Sequence, residues 1–358
     1  MATVLENCTI ISDRLLRALG MAILEKVGVP QADAEITVDS LVEADLCGVH
    51  SHGSTRLIWY TERLRMGGDN PRPNIRVVED SPAVAVIDGD RGLGQVVSRF
   101  AMKKAIAKAQ SAGVGIVGVR NSHHFGACAY WAQMALAHDM IGLVLTNGGP
   151  LMAPWGGITR SLSNDPIGMA IPAGKELPIV LDMATTIVAG GKLDLAAQRN
   201  ETIPLGWALN GDGLPTTDAM EARTGLLLPI GGYKGYGLTL MFEVLAAVLT
   251  GANFARDVPA PQQTTTAMNI GHYFQAINVS AFMPIAMFKT RVDGLIRQMK
   301  SSQLAPGVER ICVPGELEQE TRAKYVVDGI PMPSEVVKNL YHLASQLGLS
   351  VRQLAMEC

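Results

Sequence analysis

The sequence predicts a mixed α/β fold with helical segments at both ends of the chain. From about residue 75 onward, short apolar strand-like runs alternate with amphipathic stretches, which favours α/β architecture. Residues 12–65 instead carry apolar side chains at spacings of three and four, which predicts helices. The tail returns to this helical pattern. The pattern leaves open whether the two ends pack together as one discontinuous domain.

Three helices are predicted in the N-terminal part. The first covers residues 13–27 and ends before Gly28 and Pro30, and the second runs from Asp33 to Leu46. The third spans residues 54–66, with Ser51 or Ser54 as a candidate N-cap. The composition changes at residues 70–73, Asn-Pro-Arg-Pro, and predicts a boundary there.

The central part is predicted to contain both element types. Strands are expected at residues 84–88, 115–120, 141–146 and 179–182. Helices are expected at residues 95–112, 127–140 and 236–250 of this part, and at 287–303 and 334–347 in the tail. The helix at 236–250 is apolar around its whole circumference, which predicts burial on all sides.

Composition excludes several classes of protein. The chain has 358 residues, 48% of them hydrophobic, and a formal net charge of −3, which argues against nucleic acid as the main partner. No apolar run approaches the ~20 residues that span a bilayer, and the N-terminus lacks the pattern of a signal peptide. The five cysteines form no Cys-x-x-Cys pair, which fits a reducing cytoplasm. We therefore expect a cytoplasmic protein.

Residues 113–118, Gly-Val-Gly-Ile-Val-Gly, match the dinucleotide-binding pattern G-x-G-x-x-G. That motif works only when a strand precedes it and a helix follows it, so that phosphate meets a helix N-terminus. Here the predicted order is reversed, so Gly113 is expected to cap a helix and Gly115 to lie in a strand. A better phosphate or ribose candidate is the loop at residues 231–235, which contains Lys234 and opens a helix.

Four of the seven histidines occur in two clusters, at residues 48–56 and 121–126. Imidazole titrates near neutral pH, so such clusters indicate either proton transfer or metal binding. Neither cluster has an acidic residue or a cysteine pair at ligand spacing, which disfavours a metal site. We expect no metal.

The neighbours of two histidines favour a catalytic role. If a helix begins near Ser51, His52 and Arg56 lie one turn apart on one face, beside each other. A guanidinium next to an imidazole suits a substrate with a carboxylate beside its reacting oxygen. His124 follows a predicted strand, at the usual position of an α/β active site. The other histidines are interpreted as structural, namely His50, His123, His138, His272 and His342.

These residues resemble the signature of the type-2 malate/L-lactate dehydrogenase family. The family also includes ureidoglycolate dehydrogenase, 2,3-diketo-L-gulonate reductase, sulfolactate dehydrogenase and Δ1-piperideine-2-carboxylate reductase. The resemblance starts at Ser51-His-Gly53 with Arg56 and runs in family order over most of the chain. It continues through residues 121–126, 146–150, 154–157, 182–185, 190–192, 204–210, 212–218, 232–238 and 314–316.

The resemblance implies an NAD(P)-dependent oxidoreductase that interconverts 2-hydroxy acids and 2-oxo acids by hydride transfer. It implies that His124 is the general acid/base, with His52 as a second proton-transfer candidate. Arg56 is expected to bind the substrate carboxylate, with Ser51 as a polar helper. The cofactor, NAD with NADP possible, is expected to contact Asp182, Met183, Ala184, Lys234, Gly148, Pro314, Gly315 and Glu316.

The resemblance also implies a fold unlike the Rossmann fold. It implies a helical domain formed by residues 1–75 together with 285–358, and a central mixed-sheet nucleotide-binding domain over residues 76–284. A homodimer or larger homo-oligomer is expected, with the active site in the cleft between the domains.

The chain departs from the family pattern at a few positions. Several relatives have an Asn-Pro where this chain has Asp165-Pro166, and Thr186 and Gly148 replace serines found in some members. Arg160 and Asp165 are unusual enough to leave the substrate preference open. Besides the 2-oxo acid reductase, three functions remain: an NADPH-dependent cyclic imine acid reductase, a metal-dependent hydrolase built on His50, His52 and His124, and a non-catalytic nucleotide-binding protein.

Overall fold

The computed structural model describes residues 8–198 and 200–357, which form 11 strands and 12 α-helices. The strands are β1 (Cys8–Ile11), β2 (Arg76–Asp80), β3 (Val84–Asp88), β4 (Val114–Ser122), β5 (Met140–Thr146), β6 (Ile167–Ile171), β7 (Ile179–Met183), β8 (Ala208–Leu209), β9 (Leu226–Leu227), β10 (Ile270–Asn278) and β11 (Ile330–Pro333).

The helices alternate with these strands through the centre and dominate both ends. They are α1 (Asp13–Lys26), α2 (Gln31–Leu46), α3 (Arg56–Met66), α4 (Gly94–Ala112), α5 (Cys128–Gln133), α6 (Gly190–Gln198), α7 (Ala219–Thr224), α8 (Tyr233–Glu243), α9 (Ile285–Lys300), α10 (Glu316–Asp328), α11 (Ser334–Gln346) and α12 (Val351–Glu357). None of these helices is long and apolar enough to cross a membrane, as far as residues 8–198 and 200–357 show.

A mixed sheet of seven strands forms the centre, in the order β2-β3-β4-β10-β5-β6-β7. Within this sheet only β3 and β4 run parallel; the other neighbours are antiparallel. The predicted mixed α/β class is therefore confirmed. The order was not predictable, because β10 comes from a distant segment and inserts between β4 and β5.

The four predicted strands are present as β3, β4, β5 and β7, whereas β2, β6 and β10 were not predicted. Strand β10 pairs on both edges, with Phe274 opposite Val117 on one side and Val144 on the other. Its sequence mixes His272 and Gln275 with apolar residues, so it lacks the uniformly apolar character expected of a central strand. Tertiary pairing decides its conformation.

Helix α4 packs closely on β4. The helix ends at Gly113, which adopts a left-handed conformation with φ of 81°, as predicted for a helix cap. Gly115 then lies inside β4, where an added Cβ would come within 1.9 Å of the Ala105 carbonyl oxygen on α4. The glycines of the G-x-G-x-x-G match therefore serve helix–sheet packing, and no helix begins after them.

The two ends of the chain share one hydrophobic core. Strand β1 pairs antiparallel with β11, with Cys8 opposite Pro333 and Ile11 opposite Ile330. Buried side chains from α1, α2, α3 and α11 pack together, among them Leu19, Leu41, Leu57 and Leu340. Helix α9 contacts the central part instead, because Asp293 accepts hydrogen bonds from the backbone of residues 174–176. The domain limits stay a prediction.

Three local predictions were wrong. Helix α5 ends at Gln133 instead of residue 140, because a 3-10 turn and the start of β5 replace its second half. Neither Ser51 nor Ser54 caps α3; Thr55 precedes it and makes no side-chain cap. The helix expected at 236–250 starts at Tyr233, continues as a π-helix over Val244–Val248 and is not buried on all sides.

We predict that Gly115→Ala destabilises the fold without a specific effect on nucleotide binding. The new methyl group has no space beside the Ala105 carbonyl, and overpacking of this kind costs about 1–3 kcal/mol or more. Thermal unfolding measures the change. Gly294→Ala in α9 is the matched control, since an added Cβ there meets nothing within 4 Å and should stabilise the helix by about 0.5–1 kcal/mol. Equal melting temperatures for the two variants would contradict the packing role.

Candidate active site

A buried carboxylate shapes the turn that carries the first histidine cluster. Asp45, in the last turn of α2, is fully buried and accepts hydrogen bonds from the Ser54 N–H at 2.7 Å and from His50 Nδ1 at 2.9 Å. Gly53 passes so close that an added Cβ would lie 2.0 Å from the Asp45 Oδ1. The carboxylate thereby fixes the 3-10 turn over His50–His52 and the start of α3.

Ser51, His52 and Arg56 come together on this turn. The Ser51 hydroxyl lies 2.9 Å from His52 Nδ1, and the Arg56 Nε donates to the Ser51 carbonyl oxygen at 2.6 Å. The helix starts at Arg56 and not near Ser51, so the two residues meet through the turn instead of along one helix face. Ser51, His52 and Arg56 therefore lie close together, as expected, but a turn brings them together and not one face of a helix.

His124 reaches the same place from the central sheet. It follows β4, and its backbone packs against the N-terminus of α4, where an added Cβ on Gly94 would lie 2.5 Å from the His124 carbonyl oxygen. Its imidazole stacks on that of His52, with ring centroids 5.6 Å apart and an interplanar angle of 25°. Two histidines that are 72 positions apart in the sequence thus form one pair.

Tyr60 is a site residue that the sequence reasoning missed. It is fully buried on α3, and its hydroxyl lies 2.5 Å from His124 Nδ1. The same hydroxyl accepts a hydrogen bond from Gln95 Nε2 at 3.0 Å. Tyr60 stands four residues after Arg56, so helical spacing was a signal that could have identified it.

The surroundings keep both histidines uncharged at neutral pH. Burial, and secondarily the Arg56 guanidinium, lowers the pKa of His52 to about 4. Burial and then Arg56 also hold the pKa of His124 well below its usual range. The guanidinium is always protonated, so Arg56 is the fixed positive charge beside two neutral rings. This arrangement suits an anionic ligand that the neutral imidazoles can contact.

The remaining histidines make other contacts. His50 bonds Asp45, and His272 lies between the hydroxyls of Thr146 and Ser122, each 2.8 Å from one ring nitrogen. His123 is buried beneath the Trp59 ring, with centroids 4.8 Å apart. His342 accepts a hydrogen bond from the Gln346 side chain on exposed α11. Their structural role stays a prediction.

These histidines do not form a metal-binding cluster among the described residues. Among residues 8–198 and 200–357, no group of three or more His, Cys, Asp or Glu side chains is placed to hold a metal ion. In particular, His50 turns to Asp45 while His52 turns to Ser51. The metal-dependent hydrolase therefore has no ligand set in this part of the chain.

Several residues expected at the cofactor meet at the end of β7. The Asp182 carboxylate accepts a hydrogen bond from the Ala129 N–H at 2.7 Å, which ties β7 to the start of α5, just after His124. The Val180 N–H donates to the Pro314 carbonyl at 2.9 Å. Gly315 has φ of 88°, and an added Cβ would lie 2.8 Å from the Val180 carbonyl oxygen. The turn at 314–316 therefore lies beside Asp182.

The carboxylate of Glu316 is engaged within its own turn. It pairs with Lys300 at 2.5 Å and accepts a hydrogen bond from the Val313 N–H at 3.1 Å. Lys300 and the Val313 N–H together lower the pKa of this carboxyl.

The loop that carries Lys234 is joined to the end of β7 by two hydrogen bonds. The Ile230 N–H donates to the Thr185 carbonyl at 2.9 Å, and the Thr239 hydroxyl donates to the Thr185 hydroxyl at 2.8 Å. Lys234 itself is exposed at the start of α8. Gly148 packs against Ser163, where an added Cβ would lie 2.8 Å from the Ser163 hydroxyl.

Arg160 and Asp165, the two residues that are unusual in the sequence, lie in different surroundings. Arg160 donates to the carbonyls of Arg223 and Gly225, at the C-terminal end of α7. Asp165 is fully buried, and its carboxylate oxygens have no hydrogen-bond partner among the described residues. Glu243 of α8, which accepts from the Asn147 side chain at 3.2 Å, lies close enough to act on Asp165 electrostatically. Burial and the Glu243 carboxylate raise the pKa of Asp165 well above its usual range, which favours its protonated form.

Comparison with known proteins agrees with this fold. The sequence profile described as malate/L-lactate dehydrogenase matches residues 11–341. Malate dehydrogenase of Pyrococcus horikoshii is 43% identical over 94% of this chain and 95% of its own length. Sulfolactate dehydrogenase of Methanocaldococcus jannaschii superposes with a TM-score of 0.91, at 42% identity over 96% of this chain and 99% of that chain.

A more distant solved structure is Δ1-piperideine-2-carboxylate reductase of Pseudomonas syringae, with a TM-score of 0.84 and 28% identity over 94% of this chain and 100% of that chain. The fold and the histidine–arginine cluster, together with these similarities, define an oxidoreductase of the 2-hydroxy acid dehydrogenase class. The chain belongs to the malate/L-lactate dehydrogenase family.

We predict that Asp165→Asn makes the protein more stable at alkaline pH. An acid whose pKa is raised by folding contributes stability that declines as pH rises from its unfolded pKa, about 3.9, through the folded value. Asparagine carries no charge at any pH and therefore removes this decline.

Melting temperatures measured between pH 5 and pH 9 test the prediction. The variant is expected to melt at a higher temperature than the native chain at the alkaline end, by about 1–2 °C for each kcal/mol in a chain of this size. Asp212→Asn in an exposed loop is the control. Parallel pH curves for Asp165→Asn and the native chain would show that folding does not raise the pKa of Asp165.

Proposed function

We propose that the protein reduces a small 2-oxo acid, and oxidises the matching 2-hydroxy acid, with NAD as its cofactor and NADP as the alternative. The observation that carries the proposal is the stacked pair of His52 and His124 beside the Arg56 guanidinium. A 2-oxo acid has a carboxylate next to its carbonyl. The cation and the neutral proton donors are placed to meet these two groups at the same time.

Arg56 is assigned to the substrate carboxylate. Its Nε is engaged by the Ser51 carbonyl, which orients the guanidinium and leaves its two terminal nitrogens to form a bidentate pair. The Ser51 hydroxyl is exposed beside His52 and can hydrogen-bond the same substrate. Because Arg56 lowers the pKa of both histidines, a carboxylate bound to it would offset that effect and favour their protonation.

His124 is assigned to the reacting oxygen. Its Nδ1 accepts hydrogen bonds from the Tyr60 hydroxyl and, at 3.4 Å, from the Gly126 N–H, so its proton resides on Nε2. The Nε2–H group can donate to a carbonyl oxygen and give its proton to the developing alkoxide. His52 is the second candidate, and its stacking against His124 lets the pair share the proton supply.

The donor set near β7 fits a nicotinamide dinucleotide. Asp182 offers an acceptor for ribose hydroxyls, Lys234 is an exposed cation, and the Pro314–Gly315 turn and Gly148 present backbone where side chains are absent. Met183 and Ala184 lie next to Asp182 on the same strand end. The bound cofactor supplies or accepts the hydride. The residues of this chain hold the substrate, with its carboxylate at Arg56 and its carbonyl oxygen at His124, and keep water out.

We propose a homodimer in the cytoplasm. Helix α8 and the π-helix after it expose an apolar face that includes Met241, Val244 and Val248, at 53%, 40% and 50% exposure. A second copy of the chain would cover such a patch. Analytical ultracentrifugation tests the assembly, and a monomer at micromolar concentration would contradict it. The four cysteines of residues 8–198 and 200–357 form no disulfide, which suits a reducing compartment.

The decisive experiment is an assay with NADH and NADPH across pyruvate, oxaloacetate, sulfopyruvate and a cyclic imine acid. Oxidation of NADH with at least one 2-oxo acid supports the main proposal. Turnover of the imine acid alone, with NADPH, supports the cyclic imine reductase, which the similarity to the piperideine-2-carboxylate enzyme favours.

We predict that His124→Ala lowers kcat by about 100-fold or more, because the proton donor is lost.

Cofactor binding, followed by NADH fluorescence, should persist in His124→Ala. The matched control is His342→Ala on exposed α11, which should leave both kcat and cofactor binding unchanged. Near-normal kcat in His124→Ala would remove His124 from the mechanism and leave His52 as the donor.

We predict that Arg56→Lys raises the KM for the 2-oxo acid by about 10-fold or more while the KM for the cofactor stays the same. Lysine keeps the positive charge but loses the two-pronged geometry, and a hydrogen bond to a charged group contributes about 1.5–3 kcal/mol. Arg65→Lys, on an exposed part of the same helix, is the control. An unchanged KM for the acid in Arg56→Lys would refute the carboxylate assignment.

A further inference from the structure

A side chain outside the catalytic cluster controls the hydrogen bonds of His124. Gln95 is the second residue of α4 and fully buried. Its amide donates to the Tyr60 oxygen at 3.0 Å, and Tyr60 in turn lies 2.5 Å from His124 Nδ1. The three groups form a relay that ends at the imidazole. Gly126, before α5, borders it, and an added Cβ there would make an ordinary contact with Gln95 Nε2 at 3.9 Å.

In the structure, the hydrogen bonds of this relay run in one direction, from Gln95 through Tyr60 to His124. The Tyr60 oxygen accepts from the Gln95 amide, so its single O–H points to His124 Nδ1. Burial raises the pKa of Tyr60 above its usual range, so the hydroxyl stays protonated. The Gly126 N–H also points to Nδ1. Two donors on one ring nitrogen require that nitrogen to be unprotonated, which leaves the proton on Nε2.

The opposite direction is also available. The Gln95 Oε1 atom is buried and accepts no hydrogen bond from the described residues. A half-turn of the amide would bring this oxygen to Tyr60, whose O–H would then point to Gln95. The Tyr60 oxygen would become an acceptor for an Nδ1–H of His124. Each orientation of one amide therefore matches one protonation state of Nδ1.

We infer that Gln95 is a positioning residue that sets, through Tyr60, which nitrogen of His124 carries the proton. In the observed orientation His124 presents Nε2–H, the form that donates to a carbonyl. In the turned orientation Nδ1 is protonated, which frees Nε2 to accept the proton of a hydroxyl or stabilises the doubly protonated ring. The inference rests on the proposed function for its catalytic meaning, whereas the tautomer itself is a property of the resting protein.

Magic-angle-spinning NMR of the full-length protein containing 13C,15N-histidine reads the tautomer directly, with the His124 signals assigned by their loss in His124→Asn. At neutral pH we expect the native chain to show Nε2–H alone. Gln95→Met, of similar size but without donor or acceptor, should give a mixture of both tautomers. Gln95→Glu, measured where its carboxylate is ionised, should give Nδ1–H, because a carboxylate only accepts.

The matched control is Gln133→Met on α5, whose amide donates to the Ala129 carbonyl at 3.3 Å and is remote from the relay. It should leave the His124 spectrum unchanged. An Nδ1–H signal in the native chain, or an unchanged Nε2–H signal in both Gln95 variants, would overturn the inference. If Gln95→Met does not fold, the native spectrum and Gln95→Glu still decide.

Kinetics separate the relay from the proposed function. We expect Gln95→Met to lower kcat for 2-oxo acid reduction by about 10-fold, less than the loss of the donor itself, and to shift the pH profile with the cofactor KM unchanged. A native chain that shows the expected tautomer but oxidises no NADH with any 2-oxo acid would refute the proposed function and leave the relay intact. An active enzyme in which both Gln95 variants leave the His124 tautomer unaltered would refute the relay and leave the proposed function intact.

Discussion

The buried Asp45 carboxylate holds together the segment on which the active site depends. It lies at the end of α2, where it accepts the Ser54 N–H and binds His50. A buried carboxylate without partners would be strongly unfavourable, so the turn from 50 to 54 has to wrap around it. That wrapping requires Gly53, since any side chain there would overlap Asp45. The result is a rigid turn that places Ser51 and His52 beside Arg56.

Of the side chains of Ser51, His52, Arg56 and His124, only that of Arg56 carries a charge at neutral pH. Burial removes the charge from both stacked histidines, while Arg56 remains cationic and reinforces their neutrality. A site with one fixed cation and two neutral imidazoles suits a single carboxylate, in keeping with the proposed function. Tyr60 and Gln95 lie behind this pair and give the Nδ1 atom of His124 a defined hydrogen-bond partner.

The proposed cofactor side depends on close backbone contacts and on one buried acid. Gly315 lets the 314–316 turn lie directly on β7. Asp165, in the segment before β6, lies near Glu243 of α8, and Glu243 accepts a hydrogen bond from Asn147 in the loop that contains Gly148. Because burial and Glu243 raise the pKa of Asp165, we expect the stability of this region to depend on pH.

The sequence by itself determined the fold class, the four predicted strands and most helices, because period and capping are local properties of the chain. It also indicated His52, His124 and Arg56 as candidate site residues, since histidine clusters and a nearby arginine can be seen in the sequence itself. Tertiary structure alone decided the rest. The position of β10 within the sheet, the stacking of His52 on His124, and the contact of Gln95 with Tyr60 join segments far apart in sequence. Such contacts depend on how elements pack, and no local pattern of residues encodes them.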